Sequence, residues 1–332
     1  MKHRIFGNTG WKVSEIGLGT WQLIDSWNGE TKLNIENAKN IISTALDQGI
    51  NFFDTADVYS DGLSEKYTSQ FIKEKSKPDR IHIATKCGRR LNPHTAEGYN
   101  RENITRFIDN SLKNMQVKSL DLVQLHCPPT AVYKNSDVFE ILEDLQGIRK
   151  IKFFGVSVEK VEEALEVLEY DNVTSIQIIF NMFRLKPAEE LFEKAKDYNK
   201  AIIARVPLAS GLLSGKFTKE SRFSPADHRN FNRDGKAFDK GETFSGIEYN
   251  KGLQAVEELK EVLPKYSTLA QYALRWILMF DAVSTVIPGA SSPNQVIANA
   301  QASEILPFTR ETMNQISEIY NKYFRQEIHN LW

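Results

Sequence analysis

Short apolar runs rich in β-branched residues alternate along the chain with longer segments in which apolar residues recur at helical spacing. This alternation is typical of repeated βα units built around a parallel sheet. Eight such units predict an α/β fold of the (β/α)8 class, the TIM barrel. The predicted strands are Ile16–Gly19, Asn51–Phe53, Ile81–Thr85, Leu120–Leu125, Phe153–Ser157, Ser175–Ile179, Ala201–Val206 and Ser284–Ile287.

The segments between these runs carry the predicted helices. They include Ile35–Gln48, Arg101–Met115, Val138–Ile148, Val161–Leu168, Ala188–Tyr198 and Leu269–Met279. A doubly wound sheet is the alternative fold, but the first strand is not followed by the G-x-G-x-x-G pattern of that class. Since no shift in composition marks a boundary, we expect one barrel domain over residues 1–332.

Two segments lie outside the βα repeat. The turn-rich tetrad Gly7–Gly10 separates two short runs near the start of the chain and predicts a β-hairpin. We expect this hairpin to close the floor of the barrel. The segment Phe217–Asn250 follows the seventh strand and is rich in Gly, Asp, Asn and Arg. Long irregular segments inside compact domains are usually functional, so we expect this one to cover a site.

The net charge and the length of the apolar stretches exclude some classes of partner. The 42 Lys and Arg residues nearly cancel the 43 Asp and Glu residues, which disfavours nucleic acid and anionic membranes as partners. No uncharged apolar stretch approaches the roughly 18 residues that span a bilayer. The two cysteines, Cys87 and Cys127, do not form a CxxC pair, and they predict a reducing compartment. We therefore expect a cytoplasmic protein with two buried, inert thiols, while a redox role for them remains open.

Four polar residues stand where a parallel barrel would gather them. Asp54, Lys86 and His126 follow the second, third and fourth predicted strands, and Tyr59 lies on the loop after Asp54. The carboxyl ends of barrel strands converge on one face, so these groups are expected to share a cavity. Carbonyl reduction needs a proton donor beside the carbonyl oxygen, and a tyrosine can serve if a lysine lowers its pKa from near 10. Asp54 would hold the ammonium of Lys86, and His126 would orient the carbonyl.

Three phrases carry a resemblance to a known family. They are NFFDTADVY, IATKCG and DLVQLHCPP, and they occur in that order within a chain that is similar from RIFGNTGWKVSEIGLGTW to VIPGASSPNQV. Together they resemble the aldo-keto reductase family. The resemblance implies reduction of an aldehyde or ketone by NADPH, with Asp54, Tyr59, Lys86 and His126 as the catalytic tetrad and Tyr59 as the general acid.

The resemblance also implies a set of cofactor-binding residues. Arg205 stands where many relatives have an aromatic ring, and Ser291 and Gln295 are neutral where relatives often carry a cation, so NADP is expected and NAD remains open. Trp21, Trp27 and Tyr59 are candidates for the substrate wall, and Asn181 is either a site residue or a turn former. The expected cofactor residues are Gly19, Thr20, Trp21, Ser157, Gln177, Arg205, Leu208, Ser210, Gly211, Leu212, Lys216, Pro288, Gly289, Ser291, Gln295 and Asn299.

Two other functions are alternatives to an enzyme that acts on a small carbonyl compound. A redox-sensing, nicotinamide-binding regulatory subunit with little turnover remains an alternative, since an intact tetrad does not exclude it. A metal-dependent hydrolase is disfavoured because the six histidines lack the HxH and HExxH patterns, so no metal is expected. Sugars, small aldehydes and ring ketones all remain open as substrates, and the oligomeric state is not predicted.

Overall fold

A two-stranded antiparallel hairpin comes first in the chain. The computed structural model describes residues 1–24, 34–75 and 80–332. Strand β1 (His3–Ile5) pairs with β2 (Lys12–Ser14), and the turn between them contains Gly10 at φ 76°. The hairpin places Phe6 against the apolar residues at the amino-terminal ends of the barrel strands, and the Phe6 and Phe52 ring centroids are 5.2 Å apart. The prediction that this hairpin closes the barrel floor is confirmed.

Within the described residues, eight parallel strands form one sheet in which each strand pairs with the next along the chain. The sheet closes on itself because the first of these strands also meets the last. Ile16 bridges Val286, Gly19 bridges Gly289, and the backbone N–H of Gly17 donates to the carbonyl of Val286 at 2.8 Å. The strands are β3 (Leu18–Gly19), β4 (Phe52–Asp54), β5 (His82–Cys87), β6 (Leu120–His126), β7 (Ile151–Ser157), β8 (Val173–Ile179), β9 (Ala201–Arg205) and β10 (Val283–Val286).

Helices surround the barrel and bury their apolar faces against it. The described helices are α1 (Ile35–Asp47), α2 (Leu63–Lys75), α3 (Arg101–Met115), α4 (Ser136–Gly147), α5 (Val161–Glu166), α6 (Lys186–Glu190), α7 (Phe192–Asp197), α8 (His228–Phe231), α9 (Tyr249–Val262), α10 (Leu269–Ile277), α11 (Pro293–Gln301), α12 (Arg310–Tyr323) and α13 (Arg325–Ile328). In the part of the chain that the structure describes, no helix combines the length and the apolarity that a membrane crossing requires.

The sequence predicted the barrel but misplaced several element ends. Asp54, Lys86 and His126 were expected just beyond their strands, whereas they lie inside β4, β5 and β6. The ladder continues through these residues because each neighbouring strand still offers backbone partners, for example between Lys86 and Gln124. The helix expected over 188–198 divides at Leu191 into α6 and α7, and the long segment 217–250 contains the short helix α8.

The floor of the barrel gives a direct test of the hairpin's contribution to stability. Phe6 is fully buried, whereas Ile5, the preceding residue, is 57% exposed. We expect Phe6→Ala to lower the free energy of unfolding by about 3–5 kcal/mol, because it removes a large core side chain and leaves a cavity. The control Ile5→Ala should change it by less than about 0.5 kcal/mol. Denaturant titration measures both, and equal effects of the two variants would contradict the assignment.

Candidate active site

A buried ion pair lies at the carboxyl end of the barrel. The ammonium of Lys86 on β5 donates a hydrogen bond to Oδ1 of Asp54 on β4, and the two side chains are only 1% and 3% exposed. The same ammonium donates to the carbonyl of Thr55 at 2.8 Å. Burial alone would lower the pKa of Lys86, but its interactions with Asp54 first and then with Tyr59 outweigh burial and raise that pKa. The lysine therefore stays charged inside the barrel.

Tyr59 reaches the ion pair from the loop after β4. The ammonium of Lys86 donates to the phenol oxygen of Tyr59 at 3.3 Å and lies 4.9 Å from the centroid of its ring. Tyr59 opens a short 3₁₀ segment in which Ser60 and Asp61 both have left-handed backbones, with φ of 48° and 53°. Such conformations are costly for residues other than glycine and are found where the surrounding structure enforces them.

The expected acidity of Tyr59 is corrected by its surroundings. The sequence predicted that Lys86 would lower the pKa of the phenol below its ordinary value. Burial raises the pKa of Tyr59, and the charge of Lys86 lowers it. The charge of Asp54 raises it again, so the pKa of Tyr59 is raised overall. A buried phenolate loses its hydration, which one neighbouring ammonium that is already paired with a carboxylate does not replace. Tyr59 is consequently a protonated phenol at neutral pH.

His126 completes the group on β6. Its ring lies edge-on to that of Tyr59, with centroids 5.9 Å apart, and the residue is 6% exposed. Burial lowers its pKa well below the ordinary value, and the nearby charges of Arg89 and Lys86 lower it further. Its Nδ1 has no hydrogen-bond partner among the described residues. His126 is therefore a neutral imidazole that can donate one hydrogen bond and accept another.

Two buried glutamines support the carboxylate of Asp54. Nε2 of Gln177 on β8 donates to Oδ2 of Asp54 at 2.8 Å, and Nε2 of Gln124 on β6 donates to the same oxygen at 3.3 Å. The resemblance predicts that Gln177 holds the cofactor, and that role stays a prediction, while the structure shows its amide bound to Asp54. Gln124 was not predicted. The sequence could have indicated it, because Gln124 lies two positions before His126 and side chains two apart in a strand face the same side.

Arg205 on β9 belongs to a second charged cluster at this end of the barrel. Its guanidinium donates to Oε2 of Glu159 at 3.0 Å and lies 3.3 Å from Oε2 of Glu242. Arg89 contacts the same two carboxylates at 2.9 and 2.8 Å. Burial raises the pKa of Glu159, whereas Arg205 and Arg89 overcome burial at Glu242 and lower its pKa to about 2. Glu242 joins the segment 217–250 to the barrel mouth through this cluster.

The two cysteines are buried thiols. Burial raises the pKa of Cys127 to about 12 and that of Cys87 well above its ordinary value. Reactive cysteines need thiolate character, so these surroundings disfavour a redox role. Sγ of Cys127 and carboxylate oxygens of Glu159 and Glu242 lie within 4.8 Å of one another. The same carboxylates pair with Arg89 and Arg205, so two guanidinium groups already balance their charge where a metal ion would bind.

The strand-one residues lie beside the ion pair. Thr20 is fully buried, and its hydroxyl donates to the carbonyl of Asp54 at 3.0 Å, which makes it a structural partner of that strand. Gly19 bridges Gly289 at the barrel seam. The ring of Trp21 lies 4.8 Å from that of His228, so the segment 217–250 contacts Trp21 as expected of a cover. Trp27 lies outside the described residues.

The site residues predicted near β7 and β8 are buried, and those predicted after β9 lie on a 3₁₀ segment and beside it. Ser157 is buried beside Cys127, and Asn181 donates to the carbonyl of Val206 and to Ser245, which favours its structural interpretation. In the 3₁₀ segment after β9, Ser210 Oγ donates to the carbonyl of Glu242 at 3.1 Å. Gly211 has φ 97°, and a Cβ there would lie 2.9 Å from the ring of Phe217. Leu208 is partly buried, Leu212 is in the core, and Lys216 is exposed.

The segment after β10 exposes a helix N-terminus. Gly289, Ser291 and Gln295 are exposed, and Pro288 and Asn299 are buried beneath them. The backbone N–H and the hydroxyl of Ser291 both donate to Oε1 of Gln295, at 2.7 and 3.1 Å. Helix N-termini favour anions, and exposed glycine permits close approach to the backbone. The donors of Ser291 are paired with Gln295 and would exchange that partner on binding a phosphate.

Comparisons with known proteins agree with this fold. The model of the aldo/keto reductase family matches residues 15–321, and the chain belongs to that family. It is 32% identical over 320 residues to aldo-keto reductase YhdN of Bacillus subtilis, covering 95% of this chain and 92% of that protein. The holo form of aldo-keto reductase AKR11C1 from Bacillus halodurans is 29% identical, with a TM-score of 0.78 and 99% of each chain covered. A probable voltage-gated potassium channel subunit beta of Oryza sativa subsp. japonica is 25% identical over 334 residues, 96% of each chain.

Asp57 is a further carboxyl group near the site, and its surroundings disfavour its charged form. Asp57 is 2% exposed, and neither of its carboxylate oxygens has a hydrogen-bond partner among the described residues. Burial, and then the charge of Glu65, raise its pKa from 3.8 to about 7. This residue was not predicted to matter, because its burial depends on the conformation of the loop after β4.

Asp57 makes stability depend on pH. The pKa of Asp57 is higher in the folded protein than in the unfolded chain. Its contribution to the free energy of unfolding is therefore fully present below about pH 4 and is lost as the pH rises through about 7. We expect Asp57→Asn, which cannot ionise, to be more stable than the wild type by a few kcal/mol at about pH 8, with the difference vanishing near pH 4. Denaturant titration across this range measures the difference. A gap that is the same at both pH values would show that Asp57 is not held protonated.

Proposed function

We propose that this member of the aldo/keto reductase family reduces an aldehyde or ketone with NADPH, and that Tyr59 donates the proton. The observation that carries the proposal is the contact of a protonated phenol with a charged, fully buried lysine, at 3.3 Å. Bound NADPH would supply the hydride. A carbonyl oxygen that receives hydride at its carbon must also receive a proton, and Tyr59 has one to give.

The residues around Tyr59 divide the remaining tasks. Lys86 stabilises the phenolate that remains after proton donation, and this interaction strengthens as negative charge develops on the phenol oxygen. Asp54 keeps Lys86 charged and fixed. His126, as a neutral imidazole, would donate a hydrogen bond to the substrate oxygen and orient it toward Tyr59. The raised pKa of the phenol is consistent with this assignment, because the acid must be protonated when the substrate binds.

The cofactor would lie across the barrel mouth. Its phosphate groups would bind near Gly289 and Ser291 at the N-terminus of α11 and beside the segment Leu208–Lys216, and its nicotinamide would lie near Ser157 and Tyr59. We propose NADPH because of the habit of the family, although Ser291 and Gln295 offer neutral groups. The cytoplasmic location and the single barrel domain over residues 1–332 remain part of the same proposal.

A regulatory role is the second candidate. The similarity to a probable potassium channel subunit beta extends over 96% of this chain, so the whole fold is shared with a protein named as a channel subunit. The two functions differ in turnover, because a subunit that senses its bound nicotinamide does not need rapid reduction of a free carbonyl compound.

The Tyr59 assignment is tested by removing the phenol oxygen alone. We expect Tyr59→Phe to lower the turnover of an aldehyde by about 100- to 10,000-fold, the range of general acid catalysis. Binding of NADPH, followed by fluorescence, should change little. The matched control is Tyr198→Phe, at a residue that is 45% exposed and directly follows α7, which should keep full activity. Full turnover in Tyr59→Phe would refute the assignment, and no turnover by the wild type with either cofactor would favour the regulatory role.

The cofactor assignment is tested at the exposed Ser291. We expect Ser291→Arg to tighten binding of NADPH by about tenfold, because a guanidinium forms a charge-assisted pair with the extra phosphate of that cofactor. Binding of NADH, which lacks this phosphate, is the internal control and should not tighten. Fluorescence titration with both cofactors gives the two dissociation constants. Equal changes for both would place the extra phosphate away from residue 291.

A further inference from the structure

We propose that Arg90 is a positioning residue for Tyr59, holding both flanks of the turn that carries the phenol. Arg90 lies four positions after Lys86, just beyond β5. This inference rests on the proposed role of Tyr59 as general acid. It assigns to Arg90 no contact with the substrate or the cofactor.

The contacts of Arg90 bracket Tyr59 along the chain. Its Nε and Nη2 donate to the carbonyl oxygen of Asp57, two residues before the tyrosine, with the Nε contact at 3.2 Å. Its Nη1 donates to Oδ1 of Asp61, two residues after the tyrosine, at 2.7 Å. One planar guanidinium therefore fixes the two ends of a five-residue segment.

The turn needs such a hold because its backbone is unfavourable. Ser60, Asp61 and Gly62 have φ of 48°, 53° and 84° in succession. The glycine is closely packed, since a Cβ there would lie 2.6 Å from Nδ2 of Asn114. Outside the turn, the N–H of Asp57 donates to the carbonyl of Lys86 at 3.1 Å, which ties the segment to β5 before Tyr59. Arg90 adds a further tie at Asp57 and a weaker, exposed one at Asp61 after Tyr59.

The two contacts of Arg90 differ in weight. The side chain of Asp61 is 87% exposed, so its ion pair with Arg90 is screened by water and contributes little. The carbonyl of Asp57 lies deeper, beside a residue that is 2% exposed, and it accepts two hydrogen bonds from a charged donor. Loss of Arg90 should therefore matter more than loss of the Asp61 carboxylate.

The side chain of Asp57 adds a dependence on pH. Its Oδ2 lies 3.8 Å from Nε of Arg90. The other titratable groups that act on Asp57 or respond to its charge are Glu65 on α2, Lys86 and Cys87 on β5, and Tyr99 before α3. Above about pH 7 the ionised carboxylate attracts Arg90, and below it the proton removes that attraction. The hold on Tyr59 is thus stronger in the alkaline range.

The experiment compares Arg90→Met, Arg90→Lys and Asp61→Asn, with Arg101→Met as the control. Arg101 forms an exposed pair with Asp144 on the outer helices, at 2.6 Å, and its loss should leave turnover unchanged. We expect Arg90→Met to lower kcat by about 10- to 100-fold, because small misplacements of a catalytic group have effects of this size. Arg90→Lys should lose less, and Asp61→Asn less than about threefold. The affinity for NADPH should stay within about twofold, since Arg90 touches no cofactor.

Two readouts separate positioning from a general structural role. The effect of Arg90→Met should be larger at about pH 8 than at about pH 6, whereas a structural defect would lower kcat equally at both. In a Tyr59→Phe background, Arg90→Met should have no further effect, because there is no phenol to position. An unchanged kcat in folded Arg90→Met, or an equal loss in both backgrounds, would overturn the inference. If Arg90→Met does not fold, Arg90→Lys in the two backgrounds decides in the same way.

The proposed function and this inference fail differently. Full turnover in Tyr59→Phe alone would remove the general acid and the basis for the inference with it. A severe loss in Tyr59→Phe, together with wild-type activity in Arg90→Met, would leave the general acid in place and overturn only the role of Arg90.

Discussion

The ion pair between Lys86 and Asp54 is the constraint on which the site depends. Removing a carboxylate and an ammonium from water is costly, and their attraction repays the cost only when the remaining hydrogen bonds are satisfied. The barrel provides those bonds from three directions, through the carbonyl of Thr55 and the amides of Gln124 and Gln177. The phenol of Tyr59 then meets a fixed positive charge. Loss of any of these hydrogen-bond partners would leave the buried ion pair less well compensated, and the pKa values of Lys86 and Tyr59 would shift.

The same burial that fixes the charges also sets the protonation states. Burial favours the neutral form of each group, so Lys86 would lose its charge without an ionised neighbour. Burial does keep His126 neutral and Tyr59 protonated. The result is one cation, one carboxylate and two neutral hydrogen-bonding groups in contact at one end of the barrel. Asp57 is the counterexample, since its buried carboxylate accepts no hydrogen bond from the residues that the structure describes and its pKa rises to about 7. Functional sites commonly hold such unfavourable groups, and the rest of the barrel compensates for them.

The sequence predicted the barrel and the grouping of polar residues at one end of it because both follow from short-range patterns. Apolar runs mark the strands, and the parallel barrel brings Asp54, Lys86 and His126 to one end once the strands are known. The sequence did not predict the contacts that depend on loop conformation. Glu159 and Glu242 are 83 positions apart and meet only because the segment 217–250 folds back over β7 and β9. The net acidity of Tyr59 was also mispredicted, since spacing reveals the neighbouring lysine but not the depth of burial.

The cover of the site is held by ion pairs as well as by aromatic and apolar packing, since Phe244 and Ile247 belong to the main core. Glu242 shares Arg89 and Arg205 with Glu159, and Trp332 packs its indole 4.1 Å from the guanidinium carbon of Arg184 and donates to Asp239 at 2.8 Å. A Cβ at Gly246 would lie 2.3 Å from that indole, so the segment and the last residue fit closely. Buried ion pairs depend strongly on geometry, whereas apolar contacts are more tolerant of sliding. The position of Glu242 over β9 is therefore narrowly defined, and a ligand that enters beside Arg205 must either fit this cluster or rearrange it.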